Sequence, residues 1–427
     1  MTRSDSGPPS PRQDDAYAAL RFGEFRNLIA GVFLFTVAML AQEMVLGYEL
    51  YAMTHDPLVL GLTGLAEAVP FISLALFGGH FADRHERRRI IVMSLAFVLL
   101  GSAVLLAVTL PAVRGRLPQA TLLLVIYGVI AALGLARGFL TPAAGSLTAF
   151  LVPREHYGNA SAWRSTGWQG GAIAGPLFAG FLYSLAGLTA TLAAVMLLTA
   201  LALALFSRIR PRPPQPPPQQ AAQEDAGIWQ SLREGIDFVR RTPIILYSIS
   251  LDLFSVLFGG VVAILPVFAA DILHVGAQGL GVLRAASSVG AMLSVLACTR
   301  YPPTHRAWRN LLVAVTGFGV ATLVFGLSRS FWLSVAALFM AGAFDSVSVV
   351  IRGTVLQVMP PDHLRGRVIS VNSVFISASN ELGAFESGLA ARLLGTVPSV
   401  VFGGAMTLLT AAYVWRRSKA LFAVRLE

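Results

Sequence analysis

Gly79-His80-Phe81-Ala82-Asp83-Arg84-His85-Glu86-Arg87-Arg88-Arg89 is the short charged stretch around which the chain is organised. It joins two apolar runs, Leu58 to Phe81 and Ile90 to Leu110, each long enough to cross a bilayer. The link is short and holds Arg84, Arg87, Arg88 and Arg89. Positive charge in short loops stays on the cytoplasmic side, so the stretch reads as a tight membrane hairpin with its loop inside. Asp83, at the junction of the two helices, is an acceptor for free helix-start N–H groups and for nearby arginines. Gly79 lets two helices approach closely. Taken alone, a generic positive-inside loop would read the same way.

The rest of the chain supplies the context. Of 427 residues, 55% are hydrophobic and only 13% charged, and the mean hydropathy is +0.69. Soluble domains carry about 25% charged residues, so the solvent for this chain is lipid. The runs are continuous, without the ten-residue alternation of a transmembrane β-barrel. The net charge of +10 and pI near 10.4 do not imply nucleic acid, because the basic residues collect in alternate loops facing an anionic leaflet. A single cysteine, Cys298, excludes a disulfide framework or a cysteine metal site. The histidines are scattered, and no metal or cofactor is expected. Residues 1–26 are polar, and the apolar run after them is too long for a cleavable signal, so it reads as a retained span.

Spans are expected at about 28–53, 58–82, 89–111, 120–150, 158–184 and 188–206, then at about 243–270, 276–299, 309–328, 331–358, 366–391 and 396–415. The expected organisation is a cytoplasmic tail (1–26), a six-helix bundle (27–207), a central cytoplasmic loop (208–242), a second six-helix bundle (243–415) and a cytoplasmic tail (416–427). Proline density over 211–218 favours an extended linker. After it, Trp229, Leu232, Ile236 and Val239 share one helical face, away from Arg233, Glu234, Asp237 and Arg240, as in an amphipathic surface helix. Arg114, Arg116, Arg329 and Arg392 fall in or beside outer links, and Arg137, Arg164, Arg284 and Arg352 within spans. The other basic residues lie in the inner links, the central loop and the tails, which places both termini in the cytoplasm. All but one of the 32 basic residues are arginine, a bias pointing to a GC-rich bacterial genome and no more. The basic loops, facing an anionic leaflet, fit a bacterial cytoplasmic (inner) membrane.

An internal repeat supports two parallel halves. Pro153, Glu155 and His156 align with Pro360, Asp362 and His363 at one constant offset, each set after a long span and before a small-residue span. Two such halves around a midplane cavity make a transporter arrangement.

With these features together, the chain resembles a major facilitator superfamily transporter over nearly its full length. That family's link between spans 2 and 3 runs glycine, three residues, aspartate, arginine, any residue, glycine, then paired basic residues. Gly79, Asp83, Arg84 and Arg87-Arg88-Arg89 match it, while Glu86 stands where the family has glycine. The resemblance implies an all-α integral membrane fold of twelve transmembrane helices in two six-helix halves, related by a pseudo-two-fold axis along the membrane normal. It also implies an inner-gate role for Gly79, Asp83, Arg84 and Arg88. The matching link of the second half, Cys298 to Arg306, keeps basic residues but lacks the acid. Arg137 resembles the span-4 arginine of proton-coupled members. Gly167, Gly171, Gly175-Pro176 and Gly180 resemble the family's span-5 antiporter signature, with Gly171, Gly175, Pro176 and Gly180 as the expected hinge. Read from the residues alone, the same glycines give a close-packing face and Pro176 a bend. The Pro153 link and its Pro360 counterpart are similar to those of the macrolide-efflux and enterobactin-exporter branch.

No enzymatic site is expected, and no GxxxxGK[ST] loop is present, which makes ATP a poor candidate for the energy source. Charges inside a bilayer are expensive unless paired or facing water, so intramembrane acids and arginines mark function. Glu43 is the first choice for a proton-binding group and Glu67 the second, with Arg137 as their electrostatic partner. Either glutamate would equally serve to pair with Arg137 and hold the bundle. Asp252, Arg284, Asp345, Arg352 and Glu381 are cavity or gate candidates in the second half, with Glu381 and Arg352 as an expected gate pair. The resulting expectation is a monomeric, proton-coupled exporter of small amphipathic organic molecules, of drug or siderophore class, working by alternating access. Its partners are a small organic substrate, protons and the bilayer. An ion-independent facilitator or lipid carrier is the alternative, and a non-transporting sensor or scaffold the alternative of another class.

Overall fold

The computed structural model describes residues 15–212 and 228–423; the side chains of residues 74–84, 228–232, 362, 363, 377 and 423 fall outside that description. The described residues are helices joined by short links, with no strand among them. Nine of these helices are long and apolar enough to cross a membrane. The first half holds α1 (Gly23–Thr54), α2 (Pro57–Arg84), α3 (Arg87–Thr109) and α4 (Gln119–Leu147). It ends with one run, Tyr157–Ser207, broken at Gly187. Gly187 has φ 76° and ψ −175°, a backbone conformation that needs no Cβ, so the run divides there into α5 (157–186) and α6 (188–207).

The second half begins with α7 (Pro243–Gly259), followed by α8 (Gly276–Arg300), α9 (Ala307–Leu327), α10 (Phe331–Val358), α11 (Asp362–Leu394) and α12 (Thr396–Arg417). The expected seventh span is continuous to about residue 270, and the structure differs here. Helix α7 stops at Gly259, and the chain continues through a 3-10 turn, Val261–Ile264, a short α turn, Leu265–Val267, and a π turn, Phe268–Ile272. Two causes are local. Gly260 takes a non-helical ψ of 81°, and Pro266 has no N–H to give to the ladder. The Ser387 hydroxyl donates to the Gly260 carbonyl at 2.9 Å and satisfies one group freed by the break.

Before α7 lies the surface helix Ile228–Arg241. Val239 is buried, and Ile236 and Phe238 pack against the second half's core. Glu234 on the same helix forms an ion pair with Arg367 of α11. This helix is therefore docked on the second half through both its apolar and its charged face.

Apolar packing divides the molecule unevenly. The helices alternate in direction, so each has one end near the described termini (the terminal end) and one at the opposite, distal end. A single core occupies the distal end and draws on both halves: Leu46, Leu50, Leu60 and Leu105 pack with Ile264, Leu265, Phe268 and Leu280. At the terminal end there are two separate cores. One belongs to the first half (Phe25, Ile91, Leu95, Leu147, Phe206) and one to the second (Ile245, Trp308, Leu311, Ile351, Val414). Among the described residues, the halves share one apolar core distally and have separate cores at the other end.

Two helix seams make the distal fusion. Helix α2 lies on α11, and α5 on α8. Each seam is a backbone-to-backbone contact through glycine. A Cβ on Gly388 would lie 2.7 Å from the Gly61 Cα, and a Cβ on Gly281 would lie 2.4 Å from the Pro176 carbonyl oxygen. Such closeness suits a lipid environment, where helix association comes from van der Waals packing of small residues.

Candidate functional site

Three acids and two arginines from five helices converge where the halves meet. In the first half, α2 and α4 touch at Gly134, where a Cβ would lie only 2.3 Å from the Glu67 carbonyl oxygen. One helical turn further along α4 stands Arg137, and its guanidinium forms an ion pair with Glu67. The same guanidinium lies 5.8 Å from the centre of the Phe71 ring. Charge pairing and a π face together make this half-buried arginine tolerable in lipid.

Glu43 of α1 reaches across the halves to Arg284 of α8 at 3.1 Å. Arg284 is 9% exposed at its side chain and Glu43 46% exposed, so the arginine is the anchored partner and the acid faces space. Beside Glu43, the buried Gln42 accepts a hydrogen bond from the Ser102 hydroxyl at 2.9 Å, which fixes α1 against α3. Glu381 of α11 completes the group. Its carboxylate lies 3.4 Å from the position of a Cβ on Gly64, three residues before Glu67 on the same face of α2. It feels the charges of Glu67, Arg137 and Glu43, and has no ion-pair partner among the described residues.

Cavities flank Glu43 on both sides. One of about 70 Å³ is lined by Phe35, Gln42, Glu43, Thr63, Glu67 and Arg137 of the first half. Another of about 200 Å³ runs from Glu43 and Pro176 to Arg284, Ser287, Phe318 and Phe325 of the second. A third, of about 480 Å³, continues from Phe35, Met39 and Arg137 toward the terminal end past Thr141, Arg164 and Trp168. Arg164 thus lines a cavity wall at its end of α5.

A stack of helices in two halves, with ionisable groups gathered where they cross, is a membrane architecture with polar groups along its midline. Residues 27–384 match the family model of the Major Facilitator Superfamily. The chain belongs to the major facilitator superfamily. It is 26% identical over 385 residues to the "Enterobactin exporter EntS" of Citrobacter koseri (strain ATCC BAA-895 / CDC 4225-83 / SGSC4696), across 89% of this chain and 88% of that protein. The same-named proteins of Shigella boydii serotype 4 (strain Sb227) and Escherichia coli O1:K1 / APEC match with the same identity and coverage. Among solved structures, a bacterial homologue of the human lysosomal transporter Spinster superposes with a TM-score of 0.72 at 17% identity, over 94% of this chain and 98% of that one. A POT family transporter in complex with 5-aminolevulinic acid superposes with a TM-score of 0.73 at 11% identity, over 94% and 96%. This facilitator-superfamily chain therefore has the all-α, two-bundle membrane fold, and it is a multi-pass transporter rather than an enzyme.

Within this superfamily member, the other sequence candidates fall in three places. Gly79, Asp83 and Arg84 have side chains outside the described residues. Arg88 donates to the Ser207 carbonyl at 2.7 Å, and Arg87 donates to the Ser146 hydroxyl at 3.0 Å while lying 4.5 Å from the Phe150 ring centre. The start of α3 is thus tied to the terminal ends of α4 and α6. Gly171 and Gly175 press on α1, where added Cβ atoms would meet Thr36 at 2.7 Å and the Val37 carbonyl at 2.9 Å. Gly180 presses instead on α8, 2.6 Å from the Ala277 carbonyl by the same measure, and Pro176 lies on that seam. Asp252, Asp345 and Arg352 form a separate group inside the second half. Arg352 pairs with Asp252, not with Glu381 as the sequence suggested, and Asp345 feels both charges. Depth along a helix does not reveal which helix face a residue takes, and Arg352 faces α7.

Sequence reasoning missed the distal contacts. Asp56 and Arg392 form an ion pair at 3.2 Å, and the Tyr51 hydroxyl donates to the Asp271 carboxylate, each across the halves. One signal was available for Arg392. It is an arginine at the end where the positive-inside pattern disfavours one.

Proposed function

We propose that this chain is a proton-coupled exporter of small amphipathic organic molecules of siderophore class, working by alternating access in a bacterial inner membrane. The observation that carries the reading is the Glu43–Arg284 bridge. It is a half-exposed carboxylate held by the opposite half, with a cavity on either side, in a fold sealed at one end. The siderophore class is taken from relatives named as enterobactin exporters.

The arginine-rich links support a cytoplasmic position for the terminal end. In this reading the cavity of about 480 Å³ past Arg164 and Trp168 opens inward, and substrate loads from the cytoplasm. Phe35, Trp168 and Phe318 offer apolar contacts for an aromatic body. Proton binding at Glu43, or secondly at Glu67, alters how the halves hold each other through Arg284 and Arg137. The distal seams then part, and the loop around Gly79, Asp83, Arg84 and Arg88 closes the cytoplasmic side. Gly171, Gly175, Pro176 and Gly180 let α5 bend as its contacts with α1 and α8 change. Asp252, Asp345 and Arg352 hold the second bundle as a rigid body. The working unit is a monomer of two bundles, 27–207 and 243–415, with both tails in the cytoplasm.

The test is proton movement in inside-out vesicles energised to an acid interior, with enterobactin added first and then hydrophobic cations and macrolides. Collapse of the pH gradient on adding enterobactin, lost in Glu43→Gln and absent in vesicles without the protein, is the expected result. Labelled enterobactin flux that persists unchanged without any gradient overturns coupling and favours an ion-independent facilitator.

A further inference from the structure

The five charged groups at the crossing do not balance. Glu67 is taken by Arg137, and Glu43 by Arg284. Glu381 remains, a third carboxylate against two guanidiniums. It stands on α11 in the seam where that helix meets α2. On the facing helix, one turn from its contact at Gly64, is the like-charged Glu67. Among the described residues, the charges that act on Glu381 most belong to the first half: Glu67 on α2, Arg137 on α4 and Glu43 on α1. Helix α7 also packs on α11, but its acid, Asp252, is paired with Arg352. The surface helix packs on α11 too, and there Glu234 is paired with Arg367 far along the helix.

We propose that Glu381 carries the coupled proton, and that this proton holds the α2–α11 seam shut. The inference rests on the proton-coupled reading above and moves the proton from Glu43 or Glu67 to the third carboxylate of the same cluster. Ionised Glu381 would face ionised Glu67 across a seam with no room to move. The Gly61–Gly388 backbone contact lies on the same two helices, seven residues from Glu381 on α11. Like charges in a poorly solvated seam repel strongly. A proton on Glu381 removes that repulsion and leaves Arg137 to Glu67 alone. When the seam opens, Glu381 leaves the first half's charges, gains solvent and releases its need for the proton.

The sign of the linkage follows. The closed seam favours protonated Glu381, so protons favour the distal-closed arrangement and their loss favours the distal-open one. A distal-open transporter facing an acidic exterior takes up the proton and closes distally. A substrate that binds in the terminal-open arrangement and drives the proton off completes exchange. Two carboxylates of opposite halves therefore stand beside one arginine, and the proton decides whether they can lie together across the seam.

The test uses the full chain in lipid nanodiscs with Cys298→Ser, Ala120→Cys and Ser330→Cys. Spin labels on the two introduced thiols report the distance between the halves at the distal end by pulsed electron resonance. Without substrate, the ratio of short to long distances should fall at least about tenfold between pH 5.5 and pH 8.5, as release of one linked proton allows. Glu381→Gln should keep the short distance at both pH values. Glu381→Asp should restore the pH response, which separates titration from a loss of packing. Glu67→Gln frees Arg137 for Glu381 and should also remove the response. The same pH response in Glu381→Gln as in the unsubstituted chain overturns the proposal, and so does a distance in the unsubstituted chain that ignores pH. If Glu381→Gln still exchanges protons for enterobactin at full yield while Glu43→Gln does not, the assignment to Glu381 falls and the exporter reading stands.

Discussion

Asp56 and Arg392 meet at 3.2 Å across the two bundles, and Asp56 also accepts the Leu58 backbone N–H at 3.0 Å. One carboxylate thus caps the start of α2 and ties it to the end of α11. The Arg392 side chain is 53% exposed, so the pair is worth only about 0.2–1 kcal/mol. Arg392→Gln should lower the distal-closed population by no more than about fivefold, read by the same spin-label distance. Added salt should mimic the variant, because exposed pairs are screened. A complete loss of closure would show that the pair does far more than its exposure permits.

Gly388 tolerates no side chain while the seam is shut. A Cβ there would meet the Gly61 Cα and N at 2.7 Å, and backbone atoms cannot swing aside. Gly388→Val should therefore trap the distal-open arrangement and stop transport. Gly128 makes the control, since a Cβ there meets nothing within 4 Å. Gly128→Ala should transport normally and gain about 0.5–1 kcal/mol of helix stability. Equal transport in both variants would mean that the seam does not close during the cycle.

Arg352 and Asp252 are both nearly inaccessible, at 6% and 8% side-chain exposure. Removing one partner strands the other as a buried charge, at about 3–5 kcal/mol. Arg352→Met alone should lower the thermal unfolding temperature of the purified protein sharply. Arg352→Met with Asp252→Leu should recover most of the loss, because a well-packed apolar pair can equal a buried ion pair. A single variant as stable as the original would remove the pair from any structural role.

Gln42 and Ser102 bond at 2.9 Å beside Glu43, with both residues buried. Ser102→Ala leaves the Gln42 amide oxygen without this donor, a cost of about 1–3 kcal/mol. Gln42→Leu combined with Ser102→Ala should return close to the original stability. If α1 is held in place by this bond, the single variant should also weaken proton-driven uptake into vesicles, which the double variant restores only in part.

The membrane class, the succession of spans, the two-half repeat and the family were readable along the chain. Each is a local or periodic property. About 20 apolar residues suffice for a span wherever they fall, and arginine in alternate links needs no tertiary contact to be seen. The intramembrane acids and arginines were also visible one by one, since their cost in lipid marks them. Their partners were not. Glu43 finds Arg284 and Asp252 finds Arg352 only through the rotation of four helices about their axes, which hydropathy does not encode. The break after Gly259 had its causes in plain view, Gly260 and Pro266, but an apolar run hides them when only length is weighed.

Hydrophobic length, loop charge and repetition act residue by residue, and they already commit this chain to a bilayer as helices in two related halves. Which end is shut, and which carboxylate at the crossing of the halves has no arginine of its own among the described residues, follow only from how the helices pack. Both depend on approaches between helices far apart in the chain: Gly388 packs on Gly61 with no room for a Cβ, and Arg284 stands 3.1 Å from Glu43. Steric exclusion and charge pairing operate over a few ångströms, and only folding brings those residues within that range.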